Sequence, residues 1–138
     1  MEMERQLQVG VKVLLRNAEG KYLLLRRSLS KYPEIPNRWD MVGGRIEVGV
    51  PLLNNLAREI MEETGMKMSS EPKLIAAQDI LRIPERHVVR LTYIAATDDE
   101  EPVLSDENDA FGWYTVAEMR ELAGVDIYTK EIIDSKWI

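Results

Sequence analysis

Apolar positions along the chain fall into short continuous runs and one longer helical stripe. Val9 to Leu15 and Tyr22 to Leu25 are apolar runs on either side of Asn17-Ala18-Glu19-Gly20, a turn signal, and together they predict a hairpin. Ser28 to Arg38, broken by Pro33 and Pro36, predicts a loop. Two further runs, Leu74 to Leu81 and Val88 to Ala96, flank a turn at Pro84-Glu85-Arg86, and Phe111 to Tyr114 adds a short strand. Three helices are expected. The first, Pro51 to Thr64, has proline at its first helical position and Gly65 just past its last turn. The second begins at Thr115-Val116-Ala117-Glu118, which has the form of a capping box. The third covers Ile127 to Lys136 with Asp126 as its cap. With no internal repeat and no long linker, this order predicts one α/β domain over residues 1–138, with mixed strands sandwiched by helices.

The first helix carries the chemistry. Leu52, Leu53, Leu56, Ala57, Ile60 and Met61 share one apolar face at the spacing of a buried amphipathic helix. On the other side Glu59, Glu62 and Glu63 fall within an arc of about 100°, so three carboxylates leave the helix in little more than one turn. Like charges at this spacing cost about 0.2–0.5 kcal/mol per pair, so the cluster calls for full solvation or a counter-ion.

Composition narrows what that counter-ion is. The chain has no cysteine and a single histidine, His87, which excludes thiolate and histidine-rich metal centres and leaves oxygen ligands for a hard cation such as magnesium, manganese or calcium. At 45% hydrophobic and 30% charged it has the balance of a folded globular protein. A net charge of −6 disfavours a long nucleic-acid partner. The MEMERQ start lacks a secretion signal and no stretch approaches a membrane span, so a cytoplasmic protein without membrane partners is expected. A homodimer is compatible with the sequence, which does not set the oligomeric state.

From Gly44 to Met66 the sequence GRIEVGVPLLNNLAREIMEETGM resembles the Nudix box, G-x5-E-x7-R-E-U-x-E-E-x-G-U with U bulky and apolar. Gly44, Arg58, Glu59, Ile60, Glu62, Glu63, Gly65 and Met66 match, and the six fixed matches would arise by chance less often than roughly one time in a million. Trp39-Asp40-Met41-Val42-Gly43-Gly44 resembles the W-x-x-P-G-G approach to that box, with Val42 in place of proline.

The resemblance implies a Nudix-type α/β/α sandwich with a mixed sheet, and a metal-dependent pyrophosphohydrolase in which water attacks phosphorus. Glu59, Glu62, Glu63 and the carbonyl of Gly44 are the implied ligands of Mg²⁺ or Mn²⁺, and Arg58 is implied to orient the carboxylates. Glu62, Glu63, Asp106 and Glu107 stay open as the group that takes the water's proton. The expected substrate is a small nucleoside diphosphate derivative, of the nucleoside triphosphate or sugar nucleotide class. Arg27 at a strand end could meet its phosphate, Trp39 could stack on a base or anchor a loop, and Glu47, inside the box, is a further substrate-binding candidate.

One box position departs. The first glutamate should stand at residue 50, where this chain has Val50, which can neither accept a hydrogen bond nor carry charge. In the family that glutamate pairs with the box arginine, so its loss predicts weaker support of Arg58, with Glu47 as a candidate replacement. Val50 thereby opens an alternative, a Nudix-fold domain that binds or senses its ligand with weak or no turnover.

Overall fold

A computed structural model describes residues 4–138, so the first three residues of the MEMERQ start lie outside the described residues. Seven strands and three helices follow in the order β1 (Gln6–Arg16), β2 (Tyr22–Arg27), β3 (Trp39–Asp40), β4 (Val42–Arg45), α1 (Leu52–Thr64), β5 (Lys73–Ile80), β6 (Arg86–Ala96), β7 (Asn108–Tyr114), α2 (Val116–Glu121) and α3 (Ile127–Ile133). The expected mixed sheet is present. β1 pairs in parallel with β6 from Gln6↔Arg86 to Arg16↔Ala96, while β5 lies antiparallel on the far side of β6 and β4 antiparallel against the near side of β1.

β1 and β2 are joined by the expected turn, in which the Asn17 side-chain oxygen accepts from the Glu19 and Lys21 amides. They are paired only at Arg16↔Tyr22, however, so the predicted hairpin opens at once. The reason is competition for edges: β1 gives one edge to β6 and the other to β4, and β2 turns away to pair with β7 and β3.

Alternation along β1 sends residues to opposite faces. Val11, Val13 and Leu15 join Leu56 and Ile60 of α1 in one core, and Leu14 joins Met119 of α2 and Ile132 and Ile133 of α3 in another. Helices on both faces make the α/β/α sandwich. Lys12 shares the face of Leu14, as does Arg90 on β6, so charge enters the sheet on the side away from α1's core.

α1 differs from its expected pose in two ways. Pro51 stands one position before the first helical residue, as the N-cap, with no side-chain cap. The buried stripe is Asn55, Leu56, Ile60, Glu63 and Thr64, while Leu52, Leu53, Ala57 and Met61 are exposed. The helix is rolled so that Glu59 and Glu63 face β4, which turns four of the six apolar-stripe residues outward. Gly65 closes the helix in the left-handed conformation (φ 67°), as the sequence pattern predicts. The Thr115–Glu118 capping box and the Asp126 cap also form. α3 stops at Ile133 rather than Lys136, where Ser135 donates both its amide and its hydroxyl to the Ile132 carbonyl. Among the described residues no helix is long and apolar enough to cross a membrane.

Candidate active site

Where β4 runs into the loop before α1, the chain must pass directly beneath a carboxylate, and two glycines make that passage. Gly43 has φ 137°, and a Cβ there would sit 2.0 Å from the Val11 carbonyl oxygen. A Cβ on Gly44 would lie 2.8 Å from Glu59 Oε2, so the Glu59 carboxylate rests on the bare Cα. The Gly43 amide donates to Glu63 Oε1 at 3.0 Å. Neither glycine is replaceable without moving a glutamate or a strand.

These glutamates form one wall of a cleft of about 620 Å³. Glu63 is buried and accepts weakly from Asn108 Nδ2 at 3.4 Å through its second oxygen. Burial first, and then Glu59, push its pKa up to about 7, against the lowering pull of Lys12 and the Gly43 and Asn108 hydrogen bonds. Glu59 is likewise raised, by burial first and then by Glu62, although Arg58 and Lys12 oppose the shift. Glu62 is exposed and pairs with Arg58 at 3.2 Å.

Arg58 organises the base of this wall. Its Nη1 donates to Glu59 Oε1 at 3.1 Å, its Nη2 donates to Asn55 Oδ1 at 3.0 Å, and Glu47 lies 3.6 Å from its Nε. Asn55, fully buried, also accepts from the Glu47 amide and donates to the Val50 and Pro51 carbonyls, so one side chain fixes both the loop and the arginine. Val50 itself offers only backbone. The carboxylate nearest the Arg58 Nε is Glu47, three residues before position 50, at 3.6 Å and without a hydrogen bond.

The cleft floor is of the opposite sign. Buried Asp40 is met by Arg90 at 2.6 Å, Arg27 at 3.1 Å and Lys12 at 3.4 Å, and it also accepts from Thr129. Burial alone would raise this acid, but Arg90, Lys12 and Arg27 together outweigh it and hold Asp40 well below the usual carboxylate range. Arg90 bridges on to Asp126 at 3.0 Å, and Asp126 caps α3, which ties that helix to the sheet beneath the cleft. Lys12 donates to the Met41 and Gly43 carbonyls, linking the floor to the glycine passage.

Among the described residues no three acidic or imidazole groups converge on a single point, because Glu59 and Glu62 both turn toward Arg58. The donor set still fits a hard cation. The oxygens belong to two carboxylates held above their ordinary values by burial, the Gly44 cradle leaves room beside Glu59, and an exposed pair such as Glu62–Arg58 is worth about 0–1 kcal/mol, so Glu62 can swing at little cost.

The other sequence candidates divide. Gly44, Glu59, Glu62, Glu63, Arg27, Asp106 and Glu107 line the cleft. Arg58 and Glu47 lie behind it. Trp39 is absent from the lining and packs edge-on against Tyr114 at 5.9 Å, with Arg26 over its ring. His87 pairs with Asp79 on the surface at 2.7 Å. Sequence reasoning missed Lys12, Asp40, Asn55, Arg90 and Asn108. A signal existed for two of them, since Lys12 and Arg90 each interrupt an apolar run of a central strand, where an unpaired charge is untenable.

Known proteins share the family and the fold of this chain. The NUDIX domain family matches residues 6–135. An m7GpppN-mRNA hydrolase of Danio rerio is 35% identical over 102 residues, 67% of this chain and 33% of that protein. Its Xenopus laevis counterpart is 34% identical over 108 residues, 70% of this chain and 34% of that protein, so the chain spans about a third of the length of these relatives. Among solved structures, a MutT protein from Methanosarcina mazei Go1 superposes with a TM-score of 0.81 at 25% identity, covering 96% of this chain and 94% of that one. A MutT NUDIX hydrolase from Burkholderia pseudomallei shares the fold with a TM-score of 0.78 at 23% identity, covering 96% and 99%. With its glycine passage, its glutamate wall and a family match over nearly its whole length, this chain belongs to the Nudix hydrolase family.

Proposed function

We propose that the chain, acting as one Nudix domain, is a metal-dependent pyrophosphohydrolase that cleaves the diphosphate linkage of a small nucleoside diphosphate derivative by water attack on phosphorus. The observation that carries this reading is the pairing, across one cleft, of a carboxylate wall built on Gly43 and Gly44 with a floor rich in buried cations. Glu59, Glu62, Glu63 and the Gly44 carbonyl would hold Mg²⁺ or Mn²⁺, which supplies neutralisation of the diphosphate oxygens and of the charge on the departing phosphate.

The protein's own residues account for the rest. Arg27 sits on the cleft lining with only its Nη2 given to Asp40, where it attracts and orients the phosphate oxygens, and Lys12, already given to Met41, Gly43 and Asp40, adds its charge. The attacking water forms a new P–O bond as the bridging P–O bond breaks, and its proton passes to a carboxylate. Glu63 suits that role by position, because it lines the cleft and its Oε2 has only the long Asn108 contact. Asp106 and Glu107 face the same cleft from the opposite rim, but both are exposed, and Asp106 is paired to Lys31 at 3.1 Å.

The binding-only alternative rested on Val50. Arg58 is held by Asn55, with Glu47 at 3.6 Å, and neither contact needs the residue 50 side chain, which supports turnover over binding alone. A phosphate-release screen of diphosphate compounds with Mg²⁺ and Mn²⁺ tests the proposal, with turnover in ¹⁸O-labelled water placing label in a phosphate product. No release from any diphosphate, or label confined to the non-phosphate fragment, would reject it.

A further inference from the structure

Three cations meet buried Asp40 on the cleft floor, and they are not equally spent. Arg90 is given to Asp40, Asp126 and Thr129, and Lys12 to Asp40 and the Met41 and Gly43 carbonyls. Arg27 is the most open of the three, with 29% of its side chain exposed against 11% for Lys12 and 4% for Arg90. Among the described residues only its Nη2 has a partner, Asp40 Oδ2 at 3.1 Å, which leaves the Nε and Nη1 edge of the guanidinium free. Arg27 stands at the end of β2, and a side chain so rich in rotamers is not fixed in plane by one hydrogen bond through one nitrogen.

A second contact supplies what that bond cannot. The Arg27 guanidinium carbon lies 5.2 Å from the centre of the Tyr32 ring, within the range of a cation–π contact. Tyr32 is also the one aromatic side chain on the cleft lining among the described residues, whereas Trp39 packs against Tyr114 outside it. Its loop has other means of keeping its shape. The Tyr32 amide donates to the Ser28 carbonyl at 2.9 Å, the Ser28 amide donates to the Glu107 carbonyl at 2.8 Å, and Lys31 pairs with Asp106 at 3.1 Å. Backbone and lysine thus tie this segment to the Asp106 and Glu107 rim, and what the half-buried ring adds is a flat surface against the guanidinium.

We propose that Tyr32 is a positioning residue, whose ring acts with Asp40 to hold the Arg27 guanidinium so that its free edge is presented to the diphosphate oxygens of the substrate. The planar fork of an arginine matches two phosphate oxygens at once, but only when its plane is held beforehand. This rests on the hydrolase reading for the substrate and on the Asp40–Arg27–Tyr32 geometry for the role of the ring.

The test is calorimetric titration, at saturating Mg²⁺, with methylenediphosphonate, a diphosphate analogue whose P–C–P bridge water cannot cleave. Tyr32→Leu and Tyr32→Gln should each bind it about three- to ten-fold more weakly than wild type, the scale of a cation–π contact. Tyr32→Phe, which keeps an aromatic face, should bind within about two-fold of wild type. In an Arg27→Gln background Tyr32→Leu should add almost nothing, because the ring acts through the arginine. The two non-aromatic variants keep the test intact if one of them folds poorly. No binding by the wild type, unchanged binding in Tyr32→Leu and Tyr32→Gln, Tyr32→Phe as weak as they are, or an equal loss with and without Arg27 overturns the role. Turnover does not enter this titration, so a failure of the hydrolase reading shows separately, as no phosphate release with Mg²⁺ or Mn²⁺.

Discussion

On the α1 wall of the cleft, Glu59 and Glu63 sit in surroundings that supply too little positive charge, and both are held above the ordinary carboxylate value. On the floor a few residues away, Asp40 has three cations about one carboxylate and is held far below it. Burial acts in the same direction on all three acids, so the difference lies in the partners. Asp40 is part of the fold, ionised and satisfied. Glu59 and Glu63 have fewer compensating cations than Asp40, as expected of carboxylates proposed to hold a metal ion.

The contrast predicts how each side fails. If Glu63 acts on the attacking water, Glu63→Gln should lower turnover by about 10²–10⁴-fold, the usual worth of a positioned general base. A fall under ten-fold in steady-state kinetics would move that role elsewhere, with Asp106 and Glu107 next in line.

Asp40→Asn should act on stability. It strips the counter-charge from Arg90, Lys12 and Arg27, and breaking a buried pair in this way costs about 3–5 kcal/mol, readable by urea denaturation. A loss below 1 kcal/mol would mean that solvent reaches these cations, and the floor would not be the rigid element described above.

The same comparison sets a pH dependence for the metal-free chain. Glu63 binds its proton more tightly when folded, near 7, than its ordinary value of 4.5. Between those values the folded chain carries more proton than the unfolded one, so the Glu63 contribution declines as pH rises through the window, by about 3 kcal/mol in all. Glu63→Gln should therefore be more stable than wild type at pH 8 in EDTA, and the advantage should shrink toward pH 4.5. An equal difference at both pH values would refute it.

Much of the α1 wall was legible in the sequence because its parts are close together. Arg58, Glu59, Glu62 and Glu63 lie within six residues, and helical periodicity alone puts the carboxylates on one side. The β5–β6 pair, the Gly65 terminus, the Thr115 capping box and the Asp126 cap are likewise local signals. The floor was not legible, since Lys12, Asp40, Arg90 and Thr129 meet only through strand register and helix packing, at separations no spacing rule spans. The β1–β2 pairing was over-read for the same reason: a good turn fixes two neighbouring strands, but the competing edges of β4 and β6 are remote in sequence.

Residue 50 shows a third case, in which a departure visible in the sequence meets geometry that is not. With Arg58 held by Asn55 and Glu47 at 3.6 Å, Glu47→Gln should reduce turnover or metal affinity by up to about 10–100-fold, the range of groups that orient metal ligands, if that carboxylate supports the arginine. Val50→Glu should change either quantity by less than about two-fold, as the support is already in place. A large gain from Val50→Glu in parallel assays, with Glu47→Gln silent, would reverse these two assignments.

The most direct measurement is calorimetric titration with Mn²⁺ of the wild-type chain beside the Glu62→Gln, Glu63→Gln double variant. The under-compensated wall predicts a clear isotherm in the wild type and binding weakened by at least ten-fold in the double variant, with a far-ultraviolet spectrum unchanged. Equal Mn²⁺ affinity in the two proteins would contradict it, and would mean that the glutamates of α1 are not what holds the metal.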